Sequence, residues 1–299
     1  MKLRGVLGGF DGISCGQVAL QRAGIAYEQY YASEIDTHAI KVTQNRFPDT
    51  IQLGSIADWK EWDLDNIDLI IGGSPCQGFS MAGKRLNFED PRSRLFFTFV
   101  EIIKQYKPKY FLLENVVMKQ EIQDAISEEL GVQPIQINSG LVSAQSRDRL
   151  YWTNIPVSEK PADKNLCLNN ILETEIPADK VRGGNLVDFY TEKLGKFSVR
   201  GLCHIGTADV NGSDSLKRVY HPAGKSPTLT TNGGGNREAK ISTSESTWRK
   251  LTPLEYERLQ TLPDNYTEGI SNTQRYKTLG NGWTVDVIAH IFSYMGDGK

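Results

Sequence analysis

The stretch that decides the fold is Asp68-Leu-Ile-Ile-Gly-Gly-Ser-Pro-Cys-Gln-Gly-Phe-Ser80. Asp68–Ile71 is a short apolar run of the kind that forms a buried parallel strand. Gly72 and Gly73 break it, and Ser74-Pro75 stiffens the exit, because proline fixes its own φ and restricts its neighbour. Cys76 follows at once, so a thiol is presented by a rigid turn at the C-terminal end of a buried strand, where open α/β sheets keep their chemistry. A lone apolar-flanked cysteine is ordinarily core filler. Core filler needs no such turn, and the Gly-Gly-Ser-Pro-Cys-Gln frame sets Cys76 apart.

Toward the N-terminus, Leu3–Phe10 reads as a first strand, Asp11–Gly16 as a glycine turn and Gln17–Ala23 as a helix. That order makes a cradle for the polar end of a nucleotide-like ligand. Tyr27–Ser33 is the next strand and ends at Glu34, about 20 residues past the turn, where an acid can accept ribose hydroxyls. Toward the C-terminus, Gly78–Pro91 is a polar loop able to close over substrate. A helix beginning at Ser93 carries Leu95, Phe96, Phe99, Ile102 and Ile103 at core spacing. Tyr110–Leu113 is another buried strand, and it delivers Glu114-Asn115-Val116; a carboxylate there is costly to bury without partners or work. Glu121–Leu130 reads as a helix and Gln133–Asn138 as a strand. In Gln145-Ser-Arg-Asp-Arg149, alternation puts Arg147 and Arg149 on one strand face.

From about Pro156 to Thr247 the periodicity fades and Gly, Asn, Ser, Thr and Lys accumulate, which reads as a second, loop-rich lobe. Phe189, Tyr190, Leu194, Phe197, Val219 and Tyr220 supply a small core for it. Leu251–Gln260 resumes as a helix with proline in its first turn, and Arg275–Trp283 leads into a C-terminal helix.

The 299 residues suffice for one large core and a smaller lobe. No run of about 18 apolar residues occurs, so no membrane span is expected, and the N-terminus lacks the apolar core of a signal peptide. Cys15, Cys76, Cys167 and Cys203 form no CxxC pair, which argues against a metal site or disulfide scaffold and for a reducing cytoplasm. Net charge is −2, from 34 Lys+Arg against 36 Asp+Glu. A nucleic-acid partner would therefore have to be met by a local basic face.

The quoted stretch resembles the nucleophile motif of the cytosine-C5 DNA methyltransferases, and further blocks follow in that family's order, with spacing similar to the compact bacterial and phage enzymes. Some wording, such as Phe111–Val117 and the Val142–Arg147 block, resembles the catalytic domain of the animal de novo methyltransferases. The resemblance implies a Rossmann-like α/β fold for an S-adenosylmethionine-dependent methyltransferase. The cofactor-binding catalytic domain is expected over 1–155 and 250–299, with a target-recognition lobe inserted at 156–249. The chain is expected to be a cytoplasmic monomer of a bacterial or phage-infected cell, acting on double-stranded DNA without a metal.

The resemblance also implies roles. Cys76 attacks C6 of a cytosine flipped out of the stack, since C5 is not nucleophilic enough unaided. Glu114 assists at N3, Arg147 meets the cytosine O2, Arg149 steadies Glu114, and Gln77 belongs to the same rigid turn. S-adenosylmethionine falls to Phe10, Asp11, Gly12, Ser14, Gly16, Glu34, Ile35, Ser55, Ile56, Pro75, Asn281 and Gly282. DNA falls to Ser80, Lys84, Arg85, Gln145, Thr228, Asn232, Gly233, Gly234, Asn236 and Arg237. Thr228-Leu229 matches the recurring dipeptide of the recognition segment, where close-approaching glycines suit phosphate and base-edge contacts.

The chain departs from the family at Ser55, where an Asp usually holds the adenine amino group; Asp58 is an alternative. It departs also at Gly8-Gly9 and at Gly282. Either the missing side-chain volume is neutral and Trp283 refills it, or it leaves a roomier pocket that also accepts a sulfonium analogue with a larger transferable group. Two other classes of function stand beside this one: an RNA cytosine-C5 methyltransferase on the same scaffold, and a catalytically inactive DNA-binding regulator. Gly78-Phe79-Ser80 after the nucleophile and the long recognition region speak against the first. The presence of Cys76, Glu114, Arg147 and Asn281 speaks against the second.

Overall fold

The computed structural model describes residues 1–74, 91–177, 181–231 and 236–296, the side chains of 91–93 aside. Along the chain come β1 (Lys2–Gly9), α1 (Cys15–Arg22), β2 (Ala26–Ser33), α2 (Thr37–Arg46), β3 (Ile51–Gln52) and β4 (Ile67–Gly72). Next are α3 (Pro91–Tyr106), β5 (Tyr110–Val116), α4 (Gln120–Leu130), β6 (Ile135–Asn138) and β7 (Asp148–Thr153). Then follow β8 (Gly183–Phe189), β9 (His204–Ala208), α5 (Asp214–Lys217), β10 (Arg218–Tyr220), β11 (Lys240–Ser242) and β12 (Thr247–Lys250). The chain closes with α6 (Pro253–Leu259), α7 (Asn272–Asn281) and α8 (Val285–Phe292).

The first compact unit comprises Met1–Ile137, Asp148–Lys160 and Val285–Lys299. Its sheet has the order β3-β2-β1-β4-β5-β7-β6. β1 pairs in parallel with both β2 and β4, β4 pairs in parallel with β5, and β7 runs antiparallel to β5. The order reverses between β1 and β4, which places the topological switch point, and with it the ligand crevice of such sheets, at their carboxyl ends. The register brings those ends level. Gly9 lies opposite Ser33 and Gly72, and Gly72 opposite Leu113. The next residues of each strand, Phe10, Glu34, Gly73-Ser74 and Glu114, therefore emerge along one edge.

These strands are near-continuous apolar runs because both faces are covered. Leu7, Ile70, Leu113 and Trp152 join Phe96, Phe99 and Ile102 of α3 in one buried cluster. Phe and Ile of α3 are core, as their spacing predicts. On the other face α8 packs against α1, and Arg22 pairs with Asp286 at 2.5 Å. The C-terminal helix thus returns to the first helix of the sheet unit.

The second unit comprises Asn138–Arg147 and Pro161–Thr284. Its strands close a small barrel, β10-β11-β12-β8-β9, around Ala208, Val219 and Trp248. Of the expected core, Val219 and Tyr220 are buried, but Leu194 and Phe197 are exposed. The division expected at residue 250 is also displaced, for 250–284 belong to this unit. The cause is a set of buried polar ties: Arg249 grips Glu255 of α6 through both guanidinium Nη atoms, at 2.8 and 2.7 Å, and Gln145 donates to Gln260 at 3.1 Å. No helix among the described residues is long and apolar enough to cross a membrane.

Candidate active site

In the sheet unit the turn after β1 has an unusual backbone. Phe10, Gly12 and Ser14 all take left-handed φ, at 55°, 59° and 57°. Two of them are not glycine, so surrounding bonds must hold the conformation. The Asp11 amide donates to Ser33 O at 3.1 Å, and the Gly12 amide donates to Glu34 Oε2 at 2.8 Å. Asp11 turns its carboxyl inward, accepting from Tyr30 Oη at 2.6 Å and from Ser14 Oγ. Gln17 continues the chain of bonds to Ser14 Oγ and Thr50 Oγ1, and it accepts from Tyr27 Oη. Burial, with the nearby Glu34 charge, pushes Asp11 up to about 7 against the two hydroxyl donors.

The residues predicted for a cofactor sort accordingly. Phe10 is half-buried, with its ring centroid 6.4 Å from that of Phe99. Glu34 Oε1 accepts from the Ile35 and Asp36 amides at 2.7 and 2.8 Å, so the carboxylate is aimed by backbone. Ile35 is 74 % exposed beside it, an apolar surface suited to one face of a base. Five predicted residues have side chains or close approaches used within the protein. Asp11 and Ser14 bond each other beneath the turn, and Gly16 is the close-approach point of α1, where a Cβ would run into Ile71 Cδ1. Ile56 is core. Ser55 caps a short turn, accepting from the Ala57 amide at 3.2 Å, and Asp58 is exposed.

Nor do Gly8 and Gly9 leave an empty pocket. A Cβ at Gly8 would meet the Asp11 carboxyl and come within 2.6 Å of Tyr30 Oη; one at Gly9 would meet Ile56 and Phe99 at 3.1 Å. The volume their side chains forgo is filled by protein, which removes the ground at these two positions for a roomier cofactor pocket.

At the exit of β5, Glu114 is 7 % exposed. Arg149 stands opposite Val116, diagonal to Glu114 across the β5–β7 pair, and cross-strand diagonals lie within reach of long side chains. Its Nε sits 2.9 Å from Glu114 Oε1. The pairing is ionic rather than an aligned hydrogen bond, and Glu114 Oε1 has no aligned donor among the described residues. Asn115, predicted only as part of the motif, ties β5 to the exit of β4: its Nδ2 donates to both the carbonyl and the hydroxyl of Ser74, each at 3.2 Å. Pro75, Cys76, Gln77, Ser80, Lys84, Arg85 and all of the loop expected to close over substrate except Pro91, which opens α3, lie outside the described residues, as do Asn232, Gly233 and Gly234.

In the second unit Arg147 departs from expectation. It precedes β7 and does not share a strand face with Arg149, because its segment is captured by Ser226: the Ser146 amide donates to Ser226 O at 2.9 Å and the Ser226 amide to Ala144 O at 2.7 Å. The buried guanidinium donates to Leu229 O at 3.3 Å and Gly282 O at 3.2 Å. Gln145 and Thr228, expected to face DNA, are likewise used internally. Gln145 Oε1 accepts from the Leu229 amide at 2.9 Å, and Thr228 Oγ1 donates to Ser146 O at 2.8 Å. Thr228-Leu229 is thereby anchored to the Gln145–Ser146 stretch. Gly282 is buried, whereas Asn281, Arg237 and Thr231 are exposed. A Cβ at Gly280 would collide with the carbonyl of Thr230, so glycine is what lets that turn approach the segment.

The sheet order, the crevice and the Glu114–Arg149 pair define an α/β enzyme of Rossmann-like type. The sequence profile of the C-5 cytosine-specific DNA methylases matches residues 7–129 and 141–297. The type II methyltransferase M1.ScrFI of Lactococcus lactis subsp. cremoris is 30% identical over 289 residues, covering 89% of this chain and 71% of the relative. M.HpaII of Haemophilus parainfluenzae is 29% identical over 316 residues, covering 93% and 85%, and the orphan methyltransferase M.SPBetaI of Bacillus phage SPbeta is 28% identical, covering 97% of each. Among solved structures, a mutant of Spodoptera frugiperda DNMT2 aligns with TM-score 0.66 and 21% identity over 97% of this chain and 99% of that one. Schizosaccharomyces pombe Dnmt2 aligns with TM-score 0.64 and 17% identity over 97% of each. This chain belongs to the C-5 cytosine-specific DNA methylase family. It is a DNA (cytosine-5-)-methyltransferase.

Proposed function

We propose that the chain methylates C5 of a flipped cytosine within a short sequence context of double-stranded DNA, with Cys76 as nucleophile and S-adenosylmethionine as donor. The observation that carries this reading is Glu114: a carboxylate at the end of a buried strand, ion-paired to Arg149 and level with the strand exit that leads to Cys76. S-adenosylmethionine, held by the Phe10–Gly12 turn, Glu34 and Ile35, supplies an electrophilic methyl group. The fit rests on the left-handed turn, the backbone-aimed carboxylate and the exposed Ile35.

Cys76 adds as a thiolate to C6, forming a sulfur–carbon bond and placing the ring's electron pair at C5. Glu114 relieves the charge that builds at N3, and Arg149 holds its carboxyl in place. After C5 is substituted, its proton leaves to a base and the pair returns to break the bond to Cys76. Asn115 fixes Ser74 and so aims the exit of β4. Asn281 and Gly282 are assigned to the cofactor by resemblance to the family's last motif.

The test is a covalent trap. DNA carrying 5-fluorocytosine, whose fluorine cannot leave as a proton does, should form a stable adduct with the wild-type chain and none with Cys76→Ala, while both bind S-adenosylmethionine. An adduct that persists in Cys76→Ala would overturn the assignment. Transfer to tRNA but not to DNA would overturn the substrate.

A further inference from the structure

Two lysines bracket the Thr228–Asn236 stretch, and neither sends its charge to solvent. Lys225 Nζ donates to the carbonyls of Gly140 at 2.8 Å, Ser143 at 3.4 Å and Leu166 at 2.6 Å. Its stem runs over two glycines: a Cβ at Gly201 would lie 3.1 Å from Lys225 Cδ, and one at Gly140 3.4 Å. Lys240 is 2 % exposed. Its Nζ donates to Leu216 O at 2.8 Å, Asn236 O at 2.6 Å and Glu238 O at 3.0 Å, with the Trp248 ring centroid 5.8 Å away.

An ammonium has three donors and no acceptor, so in both residues every N–H is committed to backbone. Nothing is left over for a phosphate. Burying an ammonium costs more than burying an apolar side chain of equal length, and what each lysine gains is three carbonyls on one atom, drawn from two separate stretches of main chain. Lys225, just before the recognition segment begins, joins the Gly140–Ser143 stretch to Leu166. Lys240, just after it ends, joins α5 to the Asn236–Glu238 stretch at the segment's last residue.

We propose that Lys225 and Lys240 are positioning residues for target recognition, each fixing one root of the Thr228–Asn236 segment, so that sequence preference depends on both although neither touches DNA. This rests on the reading of that segment as the recognition element. Burial draws the Lys240 ammonium down to about 8; Lys250 of β12 adds to the shift and Glu238 opposes it. Burial also lowers Lys225, opposed by Asp163 and Cys167. Above about pH 8 a neutral Lys240 amine has two N–H groups for three carbonyls, and one root contact is given up. Fold stability moves the other way: a base whose folded value lies below its unfolded one gains stability as pH rises past it.

The experiment is methylation of a random-sequence DNA pool by the full chain, with methylated contexts read by sequencing. For Lys240→Met and Lys225→Met the ratio of preferred to non-preferred contexts should fall about tenfold or more, the scale of one lost base discrimination. S-adenosylmethionine affinity should stay within about twofold, and Lys→Arg at either position should restore part of the preference. In the wild-type chain, raising the pH from 7 to 9 should broaden the preference while the chain stays folded by circular dichroism. Preference that holds in the folded Met variants, while total rate alone changes, would overturn the proposal. If the Met variants do not fold, unaltered wild-type preference at pH 9 overturns it for Lys240, and full preference in a folded Lys225→Gln overturns it for Lys225. A wild-type chain that methylates every context alike would instead sink the recognition reading itself.

Discussion

The Asp11 carboxyl occupies the volume that any side chain on Gly8 would need. A Cβ built on Gly8 meets Asp11 Oδ1 and stands 2.6 Å from Tyr30 Oη, while Tyr30 Oη itself donates to Asp11 Oδ1 at 2.6 Å. Glycine at position 8 and aspartate at position 11 are therefore one feature. Gly8→Ala should destabilise the chain by about 1–3 kcal/mol, the usual cost of overpacking. Gly8→Ala with Asp11→Ala should recover part of that loss, because neighbours in contact are non-additive. Urea unfolding of the two single variants and the double variant closes the cycle; strict additivity would show that the two sites are independent.

The same carboxyl predicts a pH dependence. Asp11 is raised from 3.8 to about 7 in the folded chain, chiefly by burial. The folded state then holds a proton that the unfolded state releases, so this group's contribution to stability is full below about pH 4 and is lost as pH rises through about 7. Melting temperatures of the wild-type chain and Asp11→Asn across pH 5 to 8 should converge at the acid end and separate toward neutrality, the variant being the less pH-sensitive. Parallel curves would remove Asp11 as the titrating group.

Asn115 offers a test of positioning. Its amide reaches both polar atoms of Ser74 at 3.2 Å, two residues before Cys76 in sequence. Asn115→Asp keeps the shape and removes both donors. A misplacement of about 1 Å can cost about 100-fold in rate, so methyl transfer should fall on that scale while S-adenosylmethionine binding holds. Unaltered transfer would mean that the exit of β4 is held by other groups.

Much of this was legible in the sequence, and what was not legible shares a cause. Gly72 and the apolar runs of β4 and β5 fix strands and their ends through local sterics, which a sequence displays. The Rossmann-like fold was expected from the resemblance, and the observed strand order puts Glu34 and Glu114 on one edge. What stayed hidden depends on partners far along the chain. Gly8 looked like vacated space because Tyr30, its neighbour across the β1–β2 pair, cannot be seen from residues 8–11 alone. Arg147, Gln145 and Thr228 carry side chains suited to DNA, yet Leu229, Ser146 and Gly282 consume their hydrogen-bonding groups. The boundary at residue 250 failed for the same reason: the Arg249–Glu255 and Gln145–Gln260 bonds draw α6 into the second unit.

The Glu114–Arg149 pair should be costly to break from one side. The two side chains are 10% and 13% exposed, and removing one partner of a buried pair commonly costs about 3–5 kcal/mol because the other charge is stranded. Arg149→Met should therefore destabilise the chain by roughly this much and abolish transfer. Arg149→Met combined with Glu114→Gln should regain stability without regaining activity. Thermal unfolding separates the two effects; a double variant no more stable than Arg149→Met would show that the cost lies in lost packing.

The last prediction concerns the choice of methyl donor. Gly8 and Gly9 suggested room for a sulfonium cofactor with a larger transferable group, since glycine removes side-chain volume. In the folded chain that volume is taken: Asp11 and Tyr30 fill it at Gly8, and Ile56 and Phe99 at Gly9. Admitting a larger group there would mean moving the buried Ile56 and Phe99 of a close-packed core, and cores yield little space without cost. S-adenosylmethionine competed against carboxylated and allyl analogues should leave 5-methylcytosine as the product nucleoside by mass. Phe99→Ala, which opens the space behind Gly9, is the variant in which any analogue transfer should first appear. Efficient allyl transfer by the wild-type chain would show that the analogue is accommodated elsewhere in the pocket, and the filled space at Gly8 and Gly9 would then say nothing about donor choice.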